Sequence, residues 1–258
     1  MDTKSTKHTK KRYKGFCVLL LVLSVSLALR AVGRARVQAG PVAGKVTIVA
    51  MGDSTTAGTP GWKSRVEAPP HGAGDETSQY AYWLMQSHPD WDVINQGVNG
   101  ERSDQILARF DRDVLALEPQ AVVIIAGVND VYQGRTEGHV VGQLTAMYER
   151  SRAAGIRVVA GSIIPYNTAT ADQNGRMRGI NEWIRKTAAD DPAIDFVDTR
   201  AAAAKPGDPD RLFESPDDLH PSPAGYRRMA DAIRPVLETV LKRNLVRVSR
   251  ASDVPKGT

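Results

Sequence analysis

From Lys45 onward the chain alternates short apolar runs with longer stretches of helical spacing. Val46-Thr47-Ile48-Val49-Ala50-Met51 is β-branched, apolar and closed by Gly52, the pattern of a strand buried on both faces. Trp91 to Ile94, Ala121 to Ala126, Arg157 to Ile164 (stopped by Pro165) and Ile194 to Val197 predict four more strands. Helices are predicted between them. One spans Ser78 to Ser87. A second is capped by Ser103, with Ile106, Leu107, Phe110, Val114 and Leu117 on one face. A third runs from Thr136 to Ala154 before Gly155, and a fourth from Asn174 to Ala189. In the last, Ser222 caps, Pro223 takes the first turn, and Tyr226, Met229, Ile233, Val236, Leu237 and Val240 form a stripe. Five strands alternating with five helices predict an α/β fold, a parallel sheet covered on both faces. Its sites would lie beyond the carboxyl ends of the strands.

Two stretches break the rhythm. Thr59 to Thr77 is rich in Pro and Gly and interrupts the first strand-to-helix connection; it is expected to wall the site without regular structure, with Trp62 and His71 as its contact residues. Ala201 to Asp218 is small-residue and Pro/Asp-rich.

The first 40 residues follow a different rule. Lys4, Lys7, Lys10, Lys11, Arg12 and Lys14 precede an uncharged run from Gly15 to Leu29. That is a basic segment followed by an apolar one, expected as a signal peptide or an uncleaved membrane anchor through residues 15–29. Either would place the body outside the cytoplasm. Residues 41–241 form the expected catalytic domain, and 242–258 a basic, disordered tail. The net charge of +5 resides at these two ends: residues 41–241 hold 20 basic and 27 acidic side chains. The body is therefore acidic, which excludes a nucleic-acid reading. Cys17 is the single cysteine, so no intramolecular disulfide forms.

Four islands carry the candidate chemistry: Gly52-Asp53-Ser54 with Thr55-Thr56-Ala57-Gly58, Asn95-Gln96-Gly97-Val98-Asn99-Gly100, Gly127-Val128-Asn129-Asp130, and Asp217-Asp218-Leu219-His220-Pro221. Ser54, at the end of the first strand, is a candidate nucleophile, but a serine hydroxyl needs a base within reach to take its proton. Of the five histidines, His220 alone has a carboxylate three residues back and a Pro-started helix after it. Asp217 would orient it, with Asp218 ranked second. The backbone N–H groups of Ser54 and Gly100 and the Asn129 amide are candidate donors to the oxyanion of an acyl-transfer transition state. Asp53 and Asp130 are expected to bind loop backbone. Trp62, Tyr132 and Tyr166 are candidate substrate-binding aromatics. No His/Cys/Asp/Glu set has metal-ligand spacing and no dinucleotide or phosphate-loop fingerprint is present, so neither metal nor cofactor is expected.

With these residues in this order, the chain resembles the SGNH (GDSL-type) hydrolase superfamily from about Lys45 to Leu241. The resemblance implies a three-layer α/β/α sandwich with a flavodoxin-like five-stranded sheet, and serine esterase or lipase activity without a metal. It puts Ser54, Gly100, Asn129, His220 and Asp217 in the family's roles. Thr55 departs from the Leu that many members carry there; some carbohydrate acetylesterases share the Thr. The substrate is thus expected to be a small-molecule or polysaccharide ester. Carbohydrate O-acetyl ester cleavage and a catalytically dead binding module of the same fold are the alternatives, and the complete set of islands argues against the second.

Overall fold

The computed structural model describes the backbone of residues 40–252 and side chains to residue 243. The expected leader, with its apolar run 15–29, lies outside the described residues, as do residues 253–258. Among the described residues no helix is long and apolar enough to cross a membrane.

In chain order, β1 (Val46–Gly52) runs into the one-turn helix α1 (Ser54–Ala57). A short hairpin of β2 (Trp62–Lys63) and β3 (Ala73–Gly74) leads to α2 (Tyr80–Ser87) and β4 (Trp91–Gly97). Then come α3 (Ser103–Ala108), α4 (Phe110–Asp113), β5 (Ala121–Ile125), α5 (Val128–Tyr132), α6 (Glu137–Ala153), β6 (Arg157–Gly161) and α7 (Ala171–Asp190). The chain continues through β7 (Ile194–Val197), α8 (Thr199–Ala203), a second small hairpin of β8 (Ala204–Lys205) and β9 (Asp208–Leu212), and α9 (Pro223–Ser252).

The main sheet has five strands in the order β4-β1-β5-β6-β7, all parallel. Counting only these strands, the order is 2-1-3-4-5, the flavodoxin-like winding, with its switch point beside β1. Period-two alternation divides the sheet's side chains between two cores. Val49, Met51, Val122, Ile124, Val158 and Ala160 pack with Ile106, Phe110, Val140, Leu144, Met147, Met177 and Ile180 from α3, α4, α6 and α7. Ile48, Ala50, Ala121, Val123, Ile125 and Val159 face Tyr80, Leu84, Tyr226, Met229, Ile233 and Leu237 from α2 and α9. The three inner strands β1, β5 and β6 are covered on both sides, which is why they read as apolar runs, whereas the edge strands β4 and β7 admit Asp92 and Asp195. The result is the expected three-layer α/β/α sandwich.

Several local expectations are corrected. The helix expected from Ser103 to Leu117 is broken at Arg109, whose backbone sits at φ −107 and ψ 6. Ser103 does not cap it: Arg102 stands at the cap position, with its N–H donating to Gln105 Oε1 at 3.1 Å, and the Ser103 hydroxyl turns to Asp130 instead. α7 begins at Ala171, three residues before the expected Asn174, because Thr170 and Gln173 form a reciprocal capping box. The Ala201–Asp218 stretch is not wholly irregular, since α8 and the β8/β9 hairpin lie within it. Nor does regular structure stop at residue 242, for α9 continues to Ser252 with no Pro or Gly between Pro235 and that residue to end it earlier. Ser222 does cap α9, accepting from Gly225 N–H at 3.2 Å.

The break at Arg109 serves a buried ion network. Its guanidinium donates to Glu101 at 2.7 Å, to Asp113 at 2.8 Å and to the Gly52 carbonyl at 2.9 Å. The Arg109 side chain is 7% exposed and Asp113 1%. Removing the cation would unpair Glu101, leave the buried Asp113 to Arg112 and leave the last carbonyl of β1 to the Val98 N–H. Arg109→Ala should therefore lower unfolding free energy by about 3–5 kcal/mol, measured by chemical denaturation. A loss within about 0.5 kcal/mol, as for ordinary surface changes, would show the network to be dispensable.

Candidate active site

All four islands meet beyond the carboxyl end of β1, and each is fastened by side chains distant in sequence. Asp53 caps α1, its Oδ1 accepting from Thr55 N–H at 2.9 Å. Ser54 opens the helix and is buried. The far end of α1 is closed by Asn95, whose amide donates to the carbonyls of Thr56 at 2.9 Å and Ala57 at 3.1 Å and to Gln79 Oε1 at 2.7 Å. α1 lies so close to β4 that a Cβ on Gly97 would overlap the Ala57 backbone nitrogen.

The second island turns away at Asn99-Gly100, with Gly100 at φ +77, where only glycine is unstrained. The 59–79 segment holds this turn. Ser64 Oγ donates to the Gly97 carbonyl, and Glu67 accepts from Asn99 N–H at 3.1 Å and Ser64 N–H at 3.2 Å. The third island begins α5. Asn129 Nδ2 donates to the Glu101 carbonyl at 2.9 Å, which leaves its second amide hydrogen for the cavity it lines. Asp130, fully buried, accepts from Ser103 N–H and Oγ, both at 2.8 Å.

In the fourth island, Asp217 Oδ2 lies 2.7 Å from His220 Nδ1. Asp217 Oδ1 meanwhile accepts from the N–H groups of Leu219 at 3.0 Å and His220 at 2.8 Å. Partial burial would raise the Asp217 carboxyl, but the His220 hydrogen bond and these two N–H donors hold it below the usual carboxylate range. The second-ranked Asp218 is turned elsewhere: at φ +63, its Oδ1 accepts from Asn167 Nδ2 and its carbonyl from Asn167 N–H, both at 2.8 Å.

Ser54, Thr55, Asn99, Val128, Asn129, Tyr132, Tyr166, Leu219 and His220 line one cavity of about 170 Å³. Tyr132 and Tyr166 meet edge to face across 5.9 Å; Tyr132 is 59% exposed and Tyr166 only 2%. Gly100 belongs to the adjoining turn, not to the lining. Trp62 and His71 are placed differently from expectation: both line a separate cleft beside α2 and β4. The 59–79 segment supports the site through Ser64 and Glu67, polar residues without a motif to mark them, instead of walling it with aromatics.

Among the described residues, Asp104, Asp130 and His139 each bring one ligand-type atom within 4.8 Å of the others. Asp104 is already paired with Arg102 at 3.0 Å and Asp130 is committed to Ser103, so the cluster is accounted for as a structural network. Asp53 is electrostatically unusual. Burial pushes its carboxyl up to about 7, with Asp130 and Glu101 adding to the rise and the Thr55 hydrogen bonds opposing it.

Known proteins resemble this chain in sequence and in fold. Residues 50–228 match the model of the GDSL-like Lipase/Acylhydrolase family. An acetylxylan esterase of Geobacillus stearothermophilus is 30% identical over 153 residues, which cover 54% of this chain and 69% of that protein. The platelet-activating factor acetylhydrolase IB subunit alpha1 of Bos taurus is 25% identical over 152 residues, covering 58% of this chain and 65% of its own. The chain thus spans about two thirds of these relatives' length. Among solved structures, a GDSL-like lipase from Bacteroides thetaiotaomicron superposes with a TM-score of 0.62 at 24% identity, over 85% of this chain and 97% of that one. A catalytic mutant of a Geobacillus stearothermophilus acetylxylan esterase gives 0.56 at 22%, over 77% and 94%. The chain belongs to the GDSL-like lipase/acylhydrolase family and is an ester-bond hydrolase.

Proposed function

We propose that this hydrolase removes short acyl groups, acetyl above all, through an acyl-enzyme on Ser54. The observation that carries the reading is the Asp217–His220 pair at 2.7 Å, with His220 on the wall of the cavity that Ser54 and Asn129 also line. In the reaction, Ser54 Oγ attacks the ester carbonyl carbon and gives its proton to His220 Nε2. His220 returns that proton to the departing alkoxide. Water then attacks the acyl-enzyme with His220 again as base, releasing the carboxylic acid and restoring Ser54. Asp217 fixes the imidazole through Nδ1 and stabilises its charged form. The N–H groups of Ser54 and Gly100 and the free hydrogen of the Asn129 amide would hold the oxyanion.

The size of the cavity supports a short acyl group. Its roughly 170 Å³ is well below the ~300 Å³ at which pockets begin to enclose drug-sized ligands. The relatives named for acetyl release favour the same chemistry, and an acetylated saccharide is the preferred class of substrate. The expected profile is ready turnover of para-nitrophenyl acetate and steep loss with the octanoate. Equal rates on both would overturn the short-acyl reading.

Ser54→Ala and His220→Ala should each lower kcat by about 10⁴–10⁶, with the double variant no worse than either, because the residues act as a unit. Multiplying effects in the double variant would disprove a shared step. Asn129→Ala should lower kcat by about 10²–10³ with little change in KM, the signature of a donor that acts on the transition state; an effect confined to KM would make it a substrate-binding group.

Asp53 adds a pH prediction. Its folded value, about 7, exceeds the ordinary 3.8, so the folded state holds the proton more tightly than the unfolded chain. Its favourable contribution is complete near the lower value and is lost as pH rises to about 7. The stability of Asp53→Asn relative to the parent should therefore climb across that window and level off above it, measured by denaturation at each pH. A constant difference would show that the carboxyl ionises normally.

A further inference from the structure

A second concavity, larger than the one that Ser54 lines, lies away from it. A cleft of about 500 Å³ opens between the 59–79 segment, α2 and β4, and its lining includes Trp62, Arg65, Tyr82, Gln86 and Asn95. Its size falls within the range that encloses small ligands, roughly 300–1,000 Å³. Arg65 is half-buried there, and its guanidinium has no hydrogen-bond partner among the described residues. Burial lowers its pKa, and Asp92 opposes that only from a distance, with its Oδ2 already accepting from Val42 N–H at 2.8 Å. Gln86 and the Tyr82 hydroxyl also lack side-chain hydrogen bonds among the described residues. Arg65, Gln86 and Tyr82 thus present a guanidinium, an amide and a phenol to one cleft, where a polar ligand would exchange with the water that solvates them.

The chemistry of the lining selects the class of ligand. Lys45 and Arg65 are balanced by Glu76 and Asp92, so the cleft exerts no net pull on an ion. Guanidinium, amide and carboxylate groups can each bond paired hydroxyls, and the rings of Trp62 and Tyr82 offer apolar surface for C–H groups. We propose that this cleft binds an uncharged saccharide unit, separate from the cavity that holds Ser54. Its floor touches the catalytic framework, because Asn95 lines the cleft and also holds the carbonyls of Thr56 and Ala57. The link to turnover rests on the acetyl-saccharide reading above: the cleft would grip a non-reacting unit of the alcohol portion, and remote binding of that kind strengthens capture of the substrate.

The test uses unacetylated oligosaccharides (xylotetraose, cellotetraose, mannotetraose and maltotetraose) titrated calorimetrically into the full chain carrying Ser54→Ala. At least one should bind; added to that background, Arg65→Ala should weaken it by about tenfold, the scale of one hydrogen bond to a charged group, and Gln86→Ala by about threefold, the scale of a neutral one. Gln86 is exposed, so its variant guards against misfolding of the first. In the active enzyme both variants should raise KM for the acetylated polymer of the bound sugar. They should leave kcat and the hydrolysis of para-nitrophenyl acetate unchanged. No binding by any oligosaccharide, undiminished binding in both variants, or binding of glucuronate or inorganic phosphate in their place would overturn the inference. Absence of para-nitrophenyl acetate hydrolysis would instead sink the hydrolytic reading and leave the titration to stand by itself.

Discussion

The helix that carries Ser54 is one turn long and cannot hold itself. Four residues, Ser54–Ala57, are far below the length at which a helix is stable in water. Its backbone groups must be satisfied from outside, and the site is organised around that need. Asp53 meets an N–H at one end, and the Asn95 amide meets two carbonyls at the other. Gly97 lets β4 approach closely enough for Asn95 to do so. The presentation of Ser54 is thus a property of two neighbouring strands, not of the Gly-Asp-Ser tripeptide alone.

The same region concentrates negative charge beneath the site. Asp53, Glu101, Asp113 and Asp130 lie near one another, and the first is shifted because burial and its acidic neighbours disfavour ionisation. Arg109 offsets part of this by joining Glu101, Asp113 and the end of β1. Asp130 accepts instead from two donors of Ser103, and so ties the third island to the start of α3. A buried carboxylate left unpaired in such a group would be expensive, so these contacts constrain one another.

One segment, residues 59–79, serves two concavities. Its Ser64 and Glu67 brace the turn next to the small cavity, while its Trp62, Arg65 and His71 face the large cleft. Tyr226 on α9 anchors the start of the segment by donating to the Thr59 carbonyl at 3.1 Å.

The sequence by itself determined the five strands, the sheet between two helical layers, and the order in which the islands reach its carboxyl edge. Doubly buried strands are apolar runs, and turns after them follow from local glycines, so both are visible within a few residues. The Asp217–His220 pair was also legible, since both partners lie in one short turn. Tertiary structure alone separated Asp217 from Asp218, because Asn167, 51 residues away, occupies the latter. It also broke the Ser103–Leu117 pattern at Arg109, whose guanidinium bonds Gly52, 57 residues earlier. It moved Trp62 from the cavity of Ser54 to the cleft beside α2, and it made Asn95 the support of the helix that carries Ser54. Each of these outcomes is a hydrogen bond or packing choice between segments far apart in sequence. Local periodicity carries no record of such choices, since it reports only which face of an element is apolar.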